Sequence, residues 1–380
     1  MSSNTQLAVA SAILSVACSA AWSADDVTVV KIGSAAPTTG AIASLGKENE
    51  NGARLAVEDV NRQGLVVGGH KIKLELDAMD DQADPRIGTQ VAQKLADDGV
   101  VAVVGHLNSG VSIAASRIYH DAHILQISPD STNPQFTQQG YDTTYRLVAT
   151  DSEQAPVLAH YAINTLHAKR IAIVDDSTAY GQGLANQFAD AVKASGGTVV
   201  AREATTDKAI DFKGILTQLK GQTPDVIFYG GMDATAGPFI KQAQGLGLKA
   251  KVLGGDGTCT DEVVTLAGPA VDNLVCSVAG LPLSRMKAGA SFDKSYQSRF
   301  GVGVQIYAPY AYDSVMVIVD AMKRAGSTQP EKIVAAAKTT NYPGLIGQIQ
   351  FDSKGDVRHP QLSLYGYKDQ KRTLLTTMTP

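Results

Sequence analysis

Four short polar segments contain the side chains whose chemistry points to a binding site. Each follows an apolar run that predicts a β-strand, and open α/β sheets bind their ligands at the carboxyl ends of their strands. The four segments are GHLNSG (105–110), ISPDSTNP (127–134), DDSTAYGQG (175–183) and GGDGT (254–258). Hydroxyl, amide and carboxylate groups are frequent in them, so we expect them to bind a small polar ligand.

Three residues in these segments are suited to bind a ligand that carries both a positive and a negative charge. Ser109 precedes the predicted helix VSIAASRIYHDA, and its hydroxyl and the free N–H groups of that helix are suited to hold a carboxylate. Asp256 is a carboxylate among glycines that is available to an ammonium group, and Thr132 offers a donor and an acceptor. Together they predict recognition of an α-amino acid. The alternative is structural, with Ser109 as a plain helix N-cap and the other two as turn formers, like their neighbour Asp130.

The sequence motifs of common enzymes are absent from the chain. It contains no GxxxxGK[ST], HExxH, GxSxG or paired CxxC pattern. GQGLAN (181–186) opens a predicted helix, but Asn186 stands where the third glycine of a dinucleotide-binding motif belongs. The seven histidines are scattered, and for His106 a packed, hydrogen-bonded role is favoured over a catalytic or binding one. We therefore expect no enzymatic activity, no cofactor and no metal site.

Composition and charge are those of a folded protein. The 380 residues are 44% hydrophobic and 18% charged, and 33 Lys and Arg stand against 37 Asp and Glu, which gives a formal net charge of −4. A chain of this charge without a basic stripe is not expected to bind nucleic acid. The length predicts two domains, each large enough to bury a core.

The elements that must position the polar segments form an α/β pattern. From Val27 onward, apolar runs alternate with amphipathic helical segments, and unbroken runs such as Ile171–Val174 are typical of parallel strands covered on both faces. A second series of the same kind starts near Arg170. We therefore predict two doubly wound parallel-sheet lobes joined by a hinge, with the helices predicted at 307–325 and 331–339 returning to the first lobe.

The first 23 residues are expected to be an export signal. Leu7–Trp22 is apolar but too short to span a membrane, and small residues follow it, with cleavage expected after Ser23. Removal of this segment leaves two cysteines, Cys259 and Cys276, which are candidates for a disulfide in an oxidising compartment. The alternative is two buried thiols that act as small apolar residues.

Taken in order, several motifs resemble those of the periplasmic leucine/isoleucine/valine-binding protein family, the receptors that deliver branched-chain amino acids to ABC importers. They are VKIGSAAPTTG, DDQADP, VVGHLNSG, ISPDSTNP, RIAIVDDSTAYGQGLA, FYGGMDATAG, GGDG and GLIGQIQFDSKGD. The resemblance implies a type I periplasmic-binding fold, in which two lobes joined by three crossover segments close over the ligand. We assign residues 24–150 and 280–357 to lobe 1, and residues 151–279 and 358–380 to lobe 2.

The resemblance also implies roles for individual residues. Ser109 matches the family's carboxylate-holding serine, and Thr132 matches the threonine that contacts the polar head of the ligand. Asp256 matches the ammonium-binding glutamate as a shorter carboxylate. Asp130 matches a residue that usually contributes main-chain contacts, and it carries an unusual side chain here. Tyr180 matches a cleft tyrosine of the second lobe.

Two departures from the family pattern concern specificity. Leu45 falls near an aromatic residue that lines the side-chain pocket, and Met232 replaces a tyrosine beside the ammonium site. Because methionine is flexible and polarisable, we expect a pocket that admits a different or wider set of side chains. The expected function is capture of an amino acid, first of all Leu, Ile or Val, by a periplasmic monomer that delivers it to an ABC transporter permease. Two alternatives stay open: a receptor of the same fold for another small ligand, such as an amide or a polar or aromatic amino acid, and a ligand sensor for a regulatory partner.

Overall fold

The computed structural model describes residues 27–380, and the expected export signal lies outside them. The first sheet contains β1 (Thr28–Ala36), β2 (Leu65–Val67), β3 (His70–Asp80), β4 (Ala102–Gly105), β5 (Leu125–Ser128) and β6 (Thr144–Arg146). Its strand order is β2-β3-β1-β4-β5-β6, and all neighbours are parallel except β2 and β3. The helices of this part of the chain are α1 (Ala43–Gln63), α2 (Pro85–Asp97), α3 (Ser109–Asp121) and α4 (Gln135–Gln138).

The second sheet begins after α5 (Asp151–His160). It contains β7 (Arg170–Asp175), β8 (Thr198–Ala204), β9 (Val226–Gly230), β10 (Lys251–Gly254) and β11 (Leu274–Val278). The helices between these strands are α6 (Ala179–Ala194), α7 (Lys213–Gly221), α8 (Asp233–Gly245) and α9 (Asp261–Ala267). These five strands are parallel to their neighbours in the order β11-β10-β9-β7-β8.

The remaining chain adds helices and a hairpin, and then two further strands of the second sheet. Three helices follow β11: α10 (Gly289–Phe300), α11 (Ala308–Ala325) and α12 (Pro330–Ala337). A hairpin of β12 (Tyr342–Gly344) and β13 (Gly347–Ile349) comes next, and then β14 (Leu362–Lys368) and β15 (Lys371–Met378) extend the second sheet as antiparallel strands beyond β11. We call each sheet with its packed helices a lobe. The predicted fold of two parallel-dominated α/β lobes is confirmed.

Alternate residues along the central strands enter different cores. In β7, Ile171 and Ile173 pack with residues of α6, whereas Ala172 and Val174 pack on the opposite face of the sheet with residues of α8. The period of two in a strand and the helices on both faces explain why this run is apolar throughout. In the first lobe, Val315 and Ile318 of α11 belong to the core of the sheet, so the chain after β11 returns to this lobe.

Side-chain caps fix the helices that border the space between the lobes. Glu48 of α1 is buried, and its Oε1 accepts hydrogen bonds from the backbone N–H groups of residues 305–308, at distances of 2.9 to 3.2 Å. The first N–H groups of a helix have no partner within it, so this carboxylate anchors the start of α11 to α1. Thr150 and Glu153 form a capping box at the start of α5, where the chain passes between the sheets. No helix among residues 27–380 has the length and apolarity needed to cross a membrane.

Candidate binding cleft

A small cavity lies between the two lobes, with about 230 Å³ of space when the open solvent at its mouth is counted. Residues of both lobes line it: Leu107, Asn108, Ser109, Asp130 and Tyr307 from the first, and Tyr180, Met232, Asp256 and Gly257 from the second. Five of the seven predicted ligand-binding residues are therefore brought together around one space.

Asp256 lies in the turn that follows β10 and is 2% exposed. Its Oδ1 accepts hydrogen bonds from Tyr180 Oη at 3.0 Å and Gln154 Nε2 at 3.3 Å, and its Oδ2 accepts one from Tyr307 Oη at 2.7 Å. Burial raises the pKa of Asp256, and these three donors oppose the rise. An ionised carboxylate accepts about four hydrogen bonds, so one position remains for a cationic ligand group.

Tyr180 and Gly257 shape the wall around this carboxylate. Tyr180 Oη, which donates to Asp256, also accepts a hydrogen bond from the Gly257 N–H at 3.0 Å. Burial and then the charge of Asp256 raise the pKa of Tyr180, so the hydroxyl stays protonated and can donate. A Cβ atom at Gly257 would lie 2.6 Å from Met232 Sδ, so a larger residue here would require the methionine side chain to shift. Met232 itself is the N-cap residue of α8.

Ser109 is the first residue of α3, and Asn108, with extended backbone angles, is the N-cap. The structural alternative of Ser109 as N-cap is therefore wrong. Its Oγ instead accepts a hydrogen bond from the Asn133 N–H at 3.2 Å. Both Asn108 and Ser109 line the cavity, so the N-terminus of a 13-residue helix borders it. The partial positive charge and free N–H groups at such an end suit a carboxylate.

Asp130 is a second buried carboxylate at the cavity. Its Oδ2 accepts a short hydrogen bond from Asn49 Nδ2, and its Oδ1 lies 3.4 Å from Ser128 Oγ, whose proton is directed to the nearer His106 carbonyl. Burial raises the pKa of Asp130 well above its ordinary value, the Asn49 hydrogen bond opposes this, and the charges of Asp256 and Glu48 add to the rise.

Hydroxyl groups and one guanidinium fix the backbone of the loop that carries Asp130. Ser128 Oγ accepts from the Ser131 N–H at 2.9 Å and donates to the His106 carbonyl at 2.9 Å. Arg146 is fully buried and donates to the carbonyls of Ser131 at 2.6 Å and Asn133 at 3.0 Å. The loop therefore keeps its shape through contacts that do not involve the side chain of residue 130.

Thr132 and Leu45, which were predicted to contact the ligand, do not line the cavity. Thr132 is fully buried, its carbonyl accepts from the Asp151 N–H at 2.9 Å, and its hydroxyl oxygen has no hydrogen-bond partner among residues 27–380. Leu45 is fully buried and belongs to the same apolar cluster as Leu107, which does line the cavity. Leu45 therefore supports the wall from behind.

Three residues of the cleft were missed by sequence reasoning. Tyr307 and Gln154 donate to Asp256, and Asn49 donates to Asp130. Tyr307 could have been identified from the sequence, because it stands at the start of the helix predicted at 307–325. Gln154 and Asn49 lie within helices, and nothing in the neighbouring sequence marks them as residues of the cleft.

Contacts across the cleft hold the lobes together. Besides the hydrogen bond from Tyr307 to Asp256, Asn133 Nδ2 of the first lobe donates to the Ala179 carbonyl of the second at 2.6 Å. The N-terminal residues of α3 and α6 also approach each other, since a Cβ at Gly110 would lie 3.3 Å from Ala179 Cβ. The described arrangement is therefore one in which the lobes are in contact around the cavity.

The other candidate features have structural explanations. His106 is fully buried, with Nδ1 2.7 Å from Asp81 Oδ2 and Nε2 3.0 Å from Tyr119 Oη, as expected for a packed histidine. Cys259 and Cys276 form a disulfide that ties the end of the Asp256 turn to β11. Within residues 27–380, no group of three or more His, Cys, Asp or Glu side chains is arranged to hold a metal ion.

A larger groove, with about 1080 Å³ of empty space, lies on the outer surface between α5 and β15. Its lining is largely apolar, and Glu153, which borders it, is engaged in the cap of α5. The smaller cavity between the lobes is the better candidate because polar groups of both lobes converge there.

Comparisons with known proteins agree with this geometry. A family model described as "Periplasmic binding protein" matches residues 29–370. Leu/Ile/Val-binding protein homolog 1 of Brucella abortus is 35% identical over 340 residues, which cover 89% of this chain and 90% of that protein.

Two solved structures show the same architecture. A leucine binding protein from Thermotoga maritima aligns with a TM-score of 0.85 and 28% identity, over 92% of this chain and 99% of that one. A branched-chain amino acid transporter substrate binding protein from Streptococcus pneumoniae, in complex with isoleucine, aligns with a TM-score of 0.83 and 27% identity, over the same shares. The resemblance predicted from the motifs is confirmed, and this chain belongs to the periplasmic binding protein family.

Proposed function

We propose that this protein captures one α-amino acid between its lobes and delivers it to an ABC importer. The observation that carries the proposal is the environment of Asp256. This buried carboxylate is held by three side-chain donors and faces the same cavity as Ser109 and the N-terminus of α3. One cavity thus offers a negative group for an ammonium and a positive helix end for a carboxylate.

In the proposed mechanism the amino acid first docks on the first lobe. Its carboxylate binds at Ser109 and the N-terminus of α3, and closure then brings Asp256 and Tyr180 of the second lobe to its ammonium group. Hydrogen bonds to charged groups contribute about 1.5–3 kcal/mol each, so the charged head of the ligand supplies much of the affinity. Tyr307 completes the enclosure because it bonds to Asp256 from the opposite lobe.

The names of the relatives make Leu, Ile and Val the first ligands to test. The apolar atoms of Leu107 and Met232 at the cavity are compatible with an aliphatic chain. Burial of one methylene is worth only about 0.8 kcal/mol, so a pocket of this kind separates aliphatic side chains by modest factors. We further propose that the mature protein acts as a monomer in the periplasm and that an ABC permease in the inner membrane receives the closed form.

The test uses oxidised protein that has been unfolded, stripped of ligand and refolded. Its thermal unfolding midpoint is measured against all twenty amino acids and small amides, since a ligand that binds only the folded state raises stability. Calorimetry then compares the affinity of the best ligand for wild type and Asp256→Asn. We expect a loss of at least tenfold, because the ammonium loses its counter-charge.

Asp233→Asn is the matched control, since Asp233 is a buried carboxylate of the same lobe that bonds to Thr260 and does not line the cavity. Unchanged affinity in Asp256→Asn, or no stabilisation by any amino acid, would contradict the proposed function.

A further inference from the structure

Asp130 gives the cavity a second carboxyl group that an ordinary amino acid does not satisfy. The zwitterion brings one ammonium and one carboxylate, which the proposed function assigns to Asp256 and to the helix end at Ser109. None of the described residues that line the cavity is basic. Asp130 therefore has no counter-charge there, and a buried carboxylate without one is costly.

Arg146, the buried guanidinium that holds the Asp130 loop, is already engaged. Arg146 donates through Nε to Asp356 Oδ1 at 2.5 Å, through Nη1 and Nη2 to the carbonyls of Ser131 and Asn133, and through Nη2 to Thr137 Oγ1 at 2.8 Å. These hydrogen bonds connect the guanidinium to the backbone of the loop, to the Thr137 hydroxyl and to the Asp356 carboxylate. The guanidinium holds the loop and does not serve as the ion-pair partner of the Asp130 side chain.

The immediate contacts of Asp130 leave acceptor positions on its carboxylate unused. Asn49 is a neutral donor and occupies one of about four acceptor positions on the carboxylate, whereas Ser128 Oγ, 3.4 Å away, donates to the nearer His106 carbonyl. Asn49 is itself buried, and its Oδ1 has no hydrogen-bond partner within the described chain. Of this pair, Asp130 lines the cavity, and its carboxylate presents unused acceptor positions there for donors from a ligand.

We propose that Asp130 selects an amino acid whose side chain carries a positive charge, such as lysine, arginine or ornithine. The inference rests on the proposed function and narrows its ligand class. The side-chain ammonium or guanidinium pairs with Asp130, while the methylene stem lies against Leu107 and Met232. Long cationic side chains commonly bury their stems in this way. An aliphatic ligand would instead cover the Asp130 carboxyl group with apolar atoms and leave its remaining hydrogen-bonding positions unused.

The decisive comparison is lysine against norleucine, whose side chain has the same four carbons in a straight chain but lacks the terminal ammonium group. Calorimetry on ligand-stripped wild type is expected to give at least tenfold tighter binding of lysine. In Asp130→Asn the lysine affinity is expected to fall at least tenfold, while norleucine binding is unchanged or improves. Asp313→Asn is the matched control, because Asp313 is a buried carboxylate of the first lobe that bonds to the N–H groups of Leu345 and Ile346, away from the cavity.

The outcomes separate this inference from the proposed function. Norleucine or leucine binding to wild type as tightly as lysine would overturn the role of Asp130 and leave amino-acid capture intact. Equal weakening of lysine and leucine by Asp130→Asn would also overturn it, since Asp130 would then act on the α-ammonium. Binding of no amino acid at all would overturn both. The comparison in wild type holds even if the Asp130 variant fails to fold.

Discussion

Tyr307 Oη donates a 2.7 Å hydrogen bond to Asp256 Oδ2, and the two residues belong to different lobes. Glu48 fixes Tyr307 at the start of α11, because its carboxylate accepts from the N–H groups of residues 305–308. Asp256 is fixed from its own lobe by Tyr180 and Gln154. This hydrogen bond therefore connects two side chains that are each held in place by their own lobe, and it forms only when the lobes are together.

Tyr307→Phe is expected to weaken binding of the best amino acid by about tenfold or more, because it removes a hydrogen bond to a charged group. The ligand-free protein should also become more extended, which small-angle scattering measures as a larger radius of gyration. Tyr312→Phe is the control, since Tyr312 donates to Asp59 outside the cleft. Equal affinities of wild type and Tyr307→Phe would show that this hydrogen bond does not contribute to capture.

Substitution of Gly257 tests the packing of the cavity wall. A Cβ at this position would meet Met232 Sδ at 2.6 Å and Tyr180 Cε1 at 3.0 Å. Gly257→Ala is expected to reduce ligand affinity at least tenfold, and Met232→Ala in the same chain should restore part of it by making space. Gly245→Ala is the control, because no atom lies within 4 Å of the added methyl group. Calorimetry on wild type and these three variants provides the test, and a double variant no better than Gly257→Ala would argue against the steric explanation.

Among the charged residues, Arg146 is the one whose replacement is expected to lower the free energy of unfolding most. It is fully buried and pairs with Asp356. Removing one partner of a buried ion pair typically costs 3–5 kcal/mol, so Arg146→Met should lower the free energy of unfolding by about that amount. Urea unfolding of ligand-free protein measures it. The exposed pair of Arg117 and Asp121 is the comparison, and Arg117→Ala should have little effect. A similar loss in both variants would contradict the role of burial.

The stability of the ligand-free protein should fall as the pH rises from about 4 to about 7. Burial raises the pKa of Asp151 and Asp313 to about 7, and burial raises that of Asp176 and Asp233 to about 6. In this window the groups are protonated in the folded state and ionised in the unfolded chain. Folding therefore takes up protons, and the free energy of unfolding decreases with pH.

Urea unfolding at pH 4.5, 6 and 7.5 measures this slope, and Asp313→Asn should flatten it because one of the four groups no longer titrates. A free energy of unfolding that is constant or rises over this range would contradict the assignment of raised pKa values to these carboxyl groups.

The sequence was sufficient for the fold because the strands were visible as apolar runs. Ile171–Val174 had no polar alternation, and the structure shows that its residues enter cores on both faces of the sheet. Ser109, Asp130 and Asp256 were also found, since polar turns after parallel strands meet at one edge of a sheet.

The contacts made by helices could not be predicted in the same way. Gln154 and Tyr307 reach Asp256 from 102 and 51 residues away, so their role depends on how the helices pack. Thr132 lies two residues beyond Asp130 in the same loop, but it is not among the residues that line the cavity. A pattern of residue types identifies such a loop without giving the direction of each side chain.

The loop that carries Asp130 has a consequence for how binding preferences change in evolution. Its backbone is secured by Ser128, Ser131 and Arg146, none of which needs a particular side chain at residue 130. A single codon change there alters the chemistry met by the ligand and leaves the scaffold intact. Under the roles proposed above, the residues that bind the amino-acid head and the residue that selects its side chain can change separately, so one substitution at position 130 after gene duplication would yield a receptor for a different ligand.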